Sequence, residues 1–292
     1  MIQSISIENF RCFDKTEIKG FQRMNLITGK NNSGKTCLLE ALYFCLSQDL
    51  EGTIDIRFNE NDGKTGDSLM NDKNKRGISF NYLRNTDELG FNFTPIMYSD
   101  NFQTGRFTDN KTGETFIDLN DVQLILSNDK KYPKNIGLIK KYNSLSLVEL
   151  FDKAQISGLE SRVLEAVKVV DNTITEIRTF GSYPNTLFLK KTDSKDYYPI
   201  NYYGDAVKKV ITYIGTILNY KLIFGRYILI DEIENGIHYT VQKEIWQILF
   251  KMCKKFDIQL FSTTHSLEMI KDRKSTRLNS SHPSISRMPS SA

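Results

Sequence analysis

Residues 29 to 36 read GKNNSGKT and directly follow the largely apolar run at 24 to 27. Gly29 and Gly34 let a backbone curl where bulkier residues would obstruct it, so that the N–H groups of Lys30, Asn31, Asn32 and Ser33 can converge on a phosphate. Lys35 adds a mobile positive charge, and Thr36 offers a hydroxyl to Mg²⁺. Leu38, Leu39, Leu42, Cys45 and Leu46 recur at helical spacing. They predict an amphipathic helix whose N-terminal N–H groups and dipole also favour an anion. The alternative, a Gly-rich surface turn, does not account for a strand on one side and a helix on the other.

A phosphate cradle does not by itself hydrolyse anything. Tyr227, Ile228, Leu229 and Ile230 form an apolar run ending in Asp231 and Glu232. Such a run predicts a strand buried on both faces of a parallel sheet, with two acids at its carboxyl end, where open α/β sheets bind ligands. Asp231 suits the Mg²⁺ shell. Glu232 suits a base that orients and deprotonates water. An apolar strand ending in solvated acids is common, so this reading draws its strength from the loop at 29 to 36.

A further helix is expected through Val241, Ile245, Ile248, Leu249 and Met252, followed by a strand at 258 to 261 that ends in Ser262, Thr263, Thr264 and His265. At a strand's carboxyl end, His265 can hydrogen-bond a γ-phosphate or the attacking water. The competing reading makes it the cap of a helix beginning near Ser266.

The order of NFRCF at 9 to 13, GKNNSGKT, ILIDEIENGIH and STTHS resembles the ATPase heads of the RecF, SMC and OLD branch of the ABC-type ATPases, most nearly the OLD-like AAA ATPases. The resemblance spans residues 1 to about 272, with specific motifs at its two ends. It implies a P-loop NTPase of the α/β class with a mixed or parallel sheet core, an N-terminal β-rich lobe and a small helical lobe. It further implies Mg-ATP as ligand, Lys35 and Thr36 as the Walker A pair, and Asp231 and Glu232 as the Walker B pair. Residues 234 to 238 match the D-loop region, His265 the switch histidine, and Arg11 an arginine near the phosphates.

Heads of this type present a signature loop to the nucleotide of a second copy. Here the candidate is the junction at 202 to 206, where Gly204 and the following helix start offer N–H groups. Ala206 and Tyr203 depart from the related pattern, and an ordinary loop-to-helix junction remains the alternative. No glutamine is assignable as a Q-loop. The implied assembly is a homodimer sandwiching ATP, with an effector subunit or a C-terminal Toprim nuclease as further partner. A transporter ATPase lacks support without a standard signature and Q-loop. A GTPase lacks support without an NKxD motif.

At 292 residues the chain can bury a full core. No apolar run approaches a membrane span and no signal-peptide order opens the chain, so a cytoplasmic protein is expected. Cys12, Cys37, Cys45 and Cys253 show no CxxC spacing, and reduced residues are expected rather than metal ligands. The net charge of +4 resides in Arg273, Lys274, Arg277 and Arg287; 39 basic residues less these four leaves 35 against 35 acids. Nucleic-acid binding is therefore open but not indicated by charge. Residues 273 to 292, rich in Ser and without periodicity, are expected to be disordered and foreign to the fold.

Elements must position these groups. Strands are expected at Ile2 to Ile7 and near Thr16 to Ile18, then at Ile54 to Phe58, Ile78 to Leu83 and Phe91 to Met97 within a polar β-rich lobe. A helical and signature insertion is expected over about 145 to 215. Within it, Leu159, Val163, Val167, Val170, Ile174 and Ile177 carry helical spacing, and Thr186 to Lys190 with Tyr197 to Ile200 predict a hairpin. Tyr197, Tyr198, Tyr202 and Tyr203 could stack bases, although packing or a dimer surface is the more ordinary use of such tyrosines.

Overall fold

A computed structural model describes residues 1–47, 77–84, 87–98, 101–111, 113, 115–118, 136–139, 146–223, 227–265 and 284–287. Residues Met1–Ile136 with Pro283–Ala292 form one compact unit, and Gly137–His282 form a second.

In the first unit, β1 (Ile2–Phe10) buries Ile2, Ile5 and Ile7. The chain returns antiparallel as β2 (Phe13–Lys19), with Ile7 opposite Thr16, as the alternation predicted. Strand β3 (Met24–Thr28) is buried at every residue and leads through the loop at 29 to 34 into helix α1 (Lys35–Ser47). The sequence pattern predicted an amphipathic α1; instead Cys37 to Leu42 are buried consecutively. A helix apolar nearly all round belongs inside a core rather than on a surface. Phe44 of α1 meets Phe10 and Phe80 in a three-ring cluster, with centroids 5.4 to 6.2 Å apart.

The β-rich expectation holds for β4 (Ile78–Arg84), β5 (Asp87–Tyr98), β6 (Asn101–Asp109) and β7 (Thr115–Asp118). These extend an antiparallel six-stranded sheet in the order β2-β1-β4-β5-β6-β7. The strand expected at Ile54 to Phe58 lies outside the described residues. Strand β8 (Ile136–Ile139) falls where the two units divide.

The second unit opens with α2 (Leu147–Ile156) and α3 (Glu160–Val170). A reciprocal cap starts α2: Ser146 Oγ accepts from Glu149 N at 3.1 Å, and Glu149 Oε2 accepts from Ser146 N at 2.7 Å. Those bonds hold the Glu149 carboxyl below its ordinary pKa. Gly158, at φ +64°, breaks the chain between the two helices.

The helical spacing stops short of its predicted end. Ile174 and Ile177 lie in β9 (Ile174–Thr179), which pairs with β10 (Leu187–Lys191), itself paired with β11 (Tyr197–Pro199). A register shift sets Lys191 opposite Ile174 and Lys190 opposite Glu176, so Thr175 is the extra residue of a bulge. The bulge returns residues three apart to one face, and both isoleucines are buried.

Helix α4 (Asp205–Ile223) packs against α2 and α3. Its Gly215 approaches α2 so closely that an added Cβ would sit 3.0 Å from Leu150 Cβ, and Asn219 Nδ2 donates to Leu150 O at 2.9 Å. Strand β12 (Tyr227–Ile230), helix α5 (Tyr239–Lys255) and strand β13 (Gln259–Thr264) follow. The two strands are parallel, with Ile230 opposite Ser262, and every residue of both is buried. The buried stripe of α5 runs through Gln242, Ile245, Trp246, Leu249 and Cys253; of the predicted set Ile245 and Leu249 are in it, while Val241, Ile248 and Met252 are half-buried. Gln242 joins it because Nε2 donates to Ile237 O.

The segment expected to stand outside the fold contributes a strand. Ser284–Arg287 form β14, parallel to β3, with Ile285 opposite Leu26. A parallel partner asks only for extended backbone in register, which a four-residue stretch supplies without the periodicity that would announce it. Cys37, Cys45 and Cys253 are buried and Cys12 is exposed, and none of the four is in a disulfide; burial pushes the Cys45 thiol well up. Among the described residues, no helix is long and apolar enough to cross a membrane.

Candidate functional site

The loop between β3 and α1 has the curl that its glycines predicted. Gly34 sits at φ +84° and Asn32 at φ +61°, both in the left-handed region. Asn is among the few non-glycine residues that tolerate it. Gly29 and Lys30 have their carbonyls turned to the Lys35 ammonium, whose Nζ donates to them at 3.1 and 2.7 Å. Lys35 is thereby folded back over its own loop and buried. Asn31 and Asn32 are exposed, Ser33 and Thr36 half-buried, and Thr36 occupies the first turn of α1. A hydroxyl at a helix start, beside that helix's positive dipole end, fits a Mg-bound phosphate.

Arg11 follows β1 with φ +51°. Its Nε lies 2.7 Å from Glu40 Oε2 of α1, and the two side chains are 4% and 1% exposed. In the first unit the guanidinium is thus paired with the helix that follows the phosphate loop.

In the second unit, Asp231 and Glu232 stand at the carboxyl end of β12, as predicted. Glu232 is exposed and adopts φ +48°, a strained backbone for a residue with a Cβ. Thr263 of β13, itself fully buried, holds this turn at three points. Its hydroxyl donates to Asp231 Oδ1 at 2.6 Å and accepts from Glu232 N at 2.7 Å, while its carbonyl accepts from Ile233 N at 3.1 Å.

His265 follows β13 and is exposed. Its backbone N–H donates to Glu234 Oε1, which joins the histidine to the turn after β12. The alternative role for His265, capping a helix near Ser266, falls outside the described residues. Gly236 lies in the same turn at φ +70°, facing the start of α4: an added Cβ would meet Asp205 Cβ at 3.3 Å. Deeper in α4, the Tyr213 hydroxyl donates to Ile233 O at 3.3 Å. Burial, with the Glu234 carboxylate adding to it, pushes that phenol up, so it stays a neutral donor.

Gly204 is exposed and immediately precedes α4, with its carbonyl accepting from Val207 N. The tyrosines near it divide into two kinds. Tyr197 donates to Glu176 and Tyr203 to Leu189 O, so their hydroxyls are engaged. Tyr198 and Tyr202 are exposed, with ring centroids 6.2 Å apart.

The sequence pattern did not single out Thr263, Glu234, Glu40 or Tyr213. Thr263 and Glu234 lay inside the motifs quoted for their neighbours. Glu40 carried the one signal available, a lone acid within an apolar helix.

A family model described as an AAA domain matches residues 4–264. The chain belongs to this AAA domain family. The ATP/GTP phosphatase of Helicobacter pylori is 25% identical over 329 residues, an overlap covering 92% of this chain and 86% of that protein. The DNA replication and repair protein RecF of Clostridium acetobutylicum is 39% identical over 44 residues, 15% of this chain and 12% of that one. Among solved structures, an SMC head bound to the C-winged helix domain of ScpA matches at TM-score 0.61 and 16% identity, covering 93% of this chain and 91% of that chain. An Smc head with an extended coiled coil, bound to the C-terminal domain of ScpA derived from Pyrococcus furiosus, matches at TM-score 0.58 and 14% identity over the same shares. The AAA domain described here therefore has the P-loop ATPase fold of SMC heads.

Proposed function

We propose that this chain is an ABC-type ATPase head that binds Mg-ATP, hydrolyses it, and uses nucleotide-dependent pairing of two copies as a switch. The observation that carries the reading is the fixed Asp231-Glu232 turn at the end of β12, in a chain that also has a complete phosphate loop. In this reading, Lys35 exchanges its loop carbonyls for phosphate oxygens. The backbone of residues 29 to 34 would cradle the phosphates, and Thr36 and Asp231 are the residues that would hold Mg²⁺. Glu232 orients water and takes its proton as the oxygen attacks the γ-phosphorus, leaving ADP and inorganic phosphate. His265 hydrogen-bonds the γ-phosphate or that water. Gly204, before α4, serves the nucleotide of the second copy.

Within the ABC-type heads, the order of motifs favours the OLD-like branch. The RecF relative supports a setting in DNA repair, and the OLD-like resemblance adds phage defence as the other setting; in either, an effector subunit or nuclease would receive the switch. The test is Lys35→Ala. ATP turnover is expected to fall to background with the protein still folded; unchanged turnover by the purified variant would overturn the reading.

A further inference from the structure

Thr263 stands one strand away from the acids, yet it bonds to both of them. Its single hydroxyl uses both of its hydrogen-bonding roles on adjacent residues, donating to Asp231 Oδ1 and accepting from Glu232 N. The parallel register makes this possible. Ile230 faces Ser262, so the next residue of β13 lies beside the point where β12 ends and its ladder stops. There the chain must leave the sheet, and Glu232 does so with a positive φ. A backbone N–H at such a departure has no strand partner, and the Thr263 hydroxyl takes that place.

We propose that Thr263 is a positioning residue for the metal-binding and water-activating acids: it fixes the rotation of the Asp231 carboxylate and the backbone of Glu232. This rests on the assignment of Asp231 to Mg²⁺ and Glu232 to the attacking water. A hydroxyl donating to Oδ1 opposes rotation of the Asp231 carboxylate. The same hydroxyl holds Glu232 N, so the base and the metal ligand move as one piece. Thr263 is assigned no contact with substrate or metal and acts through these two bonds. It is fully buried, which keeps water from competing for either bond.

Thr263→Val keeps the branched shape and strand preference while deleting the hydroxyl, and Thr263→Ser keeps the hydroxyl while deleting the methyl. Three quantities are read for each: kcat and KM for ATP, the Mg²⁺ concentration at half-maximal ATP binding, and protection of the Glu232 amide from hydrogen exchange. For Thr263→Val, kcat is expected to fall roughly 10- to 100-fold with KM little changed, as loss of one charge-assisted bond would give. The Mg²⁺ requirement should rise and the Glu232 amide should lose protection. Thr263→Ser should restore all three. A merely structural role would lower the melting temperature of both variants without moving the Mg²⁺ requirement. Folded Thr263→Val with wild-type kcat, Mg²⁺ requirement and amide protection overturns the proposal. If the valine variant does not fold, Thr263→Ser decides: a folded serine variant with lowered kcat and a raised Mg²⁺ requirement overturns it, because the hydroxyl is still there, and wild-type values uphold it. Should the wild-type chain bind Mg-ATP without hydrolysing it, the role of Glu232 as base fails. The Mg²⁺ requirement and amide protection still test Thr263.

Discussion

The Glu234 carboxylate accepts a hydrogen bond from the backbone N–H of His265, so the turn that follows the two acids also holds the histidine at the end of the neighbouring strand. Two segments 31 residues apart in the chain are thereby set in one frame. Tyr213 of α4 also bonds the same turn, through Ile233 O.

Removing that acceptor should loosen His265 without touching the phosphate loop. Glu234→Ala is expected to lower kcat about tenfold, with KM for ATP unchanged, the size expected for one lost hydrogen bond in the reacting state. Glu234→Gln retains an amide oxygen that can accept the same bond and should fall between the two. Steady-state ATPase assays on the three proteins check this. Equal loss in Ala and Gln would assign the effect to the charge rather than to the bond.

Glu232→Gln separates binding from hydrolysis. The amide keeps the size of the side chain and leaves Asp231 in place, but it cannot accept the proton of water. Turnover should drop by roughly 100-fold or more, ATP affinity should hold, and the variant should accumulate as a dimer with ATP in sedimentation or light scattering. A protein that stays monomeric at saturating ATP would count against the exposed Gly204 junction serving a second copy.

The residues proposed for nucleotide chemistry were legible in the sequence because each sits where an element ends. Glycine at a curl and acids after an apolar run are local signals, and the chain places them as predicted around Gly34 and after Ile230. What escaped reading depends on pairing between segments. Ile174 and Ile177 keep a helical interval only because a bulge in β9 returns them to one face, and the partner's register is invisible in the strand's own sequence. Thr263 is one hydroxyl among Ser262, Thr263 and Thr264; only the parallel register against β12 selects it. The strand at 284 to 287 likewise follows from its match to β3 rather than from its own composition.

Arg11 and Glu40 offer a way to separate a structural arginine from one that meets nucleotide. The pair is buried, so deleting either partner leaves the other charge without its neighbour in a poor solvent. Such losses cost about 3–5 kcal/mol, whereas replacing both charges by apolar groups of similar volume is often neutral. Arg11→Met and Glu40→Leu singly are therefore expected to lower the urea midpoint sharply, and the double variant should recover most of it. The folded double variant then decides what Arg11 does. If ATP affinity and kcat match wild type, the guanidinium serves to anchor α1 behind the phosphate loop. If affinity falls while stability is restored, Arg11 leaves Glu40 for the phosphates when nucleotide binds, and the resemblance that placed it there is upheld.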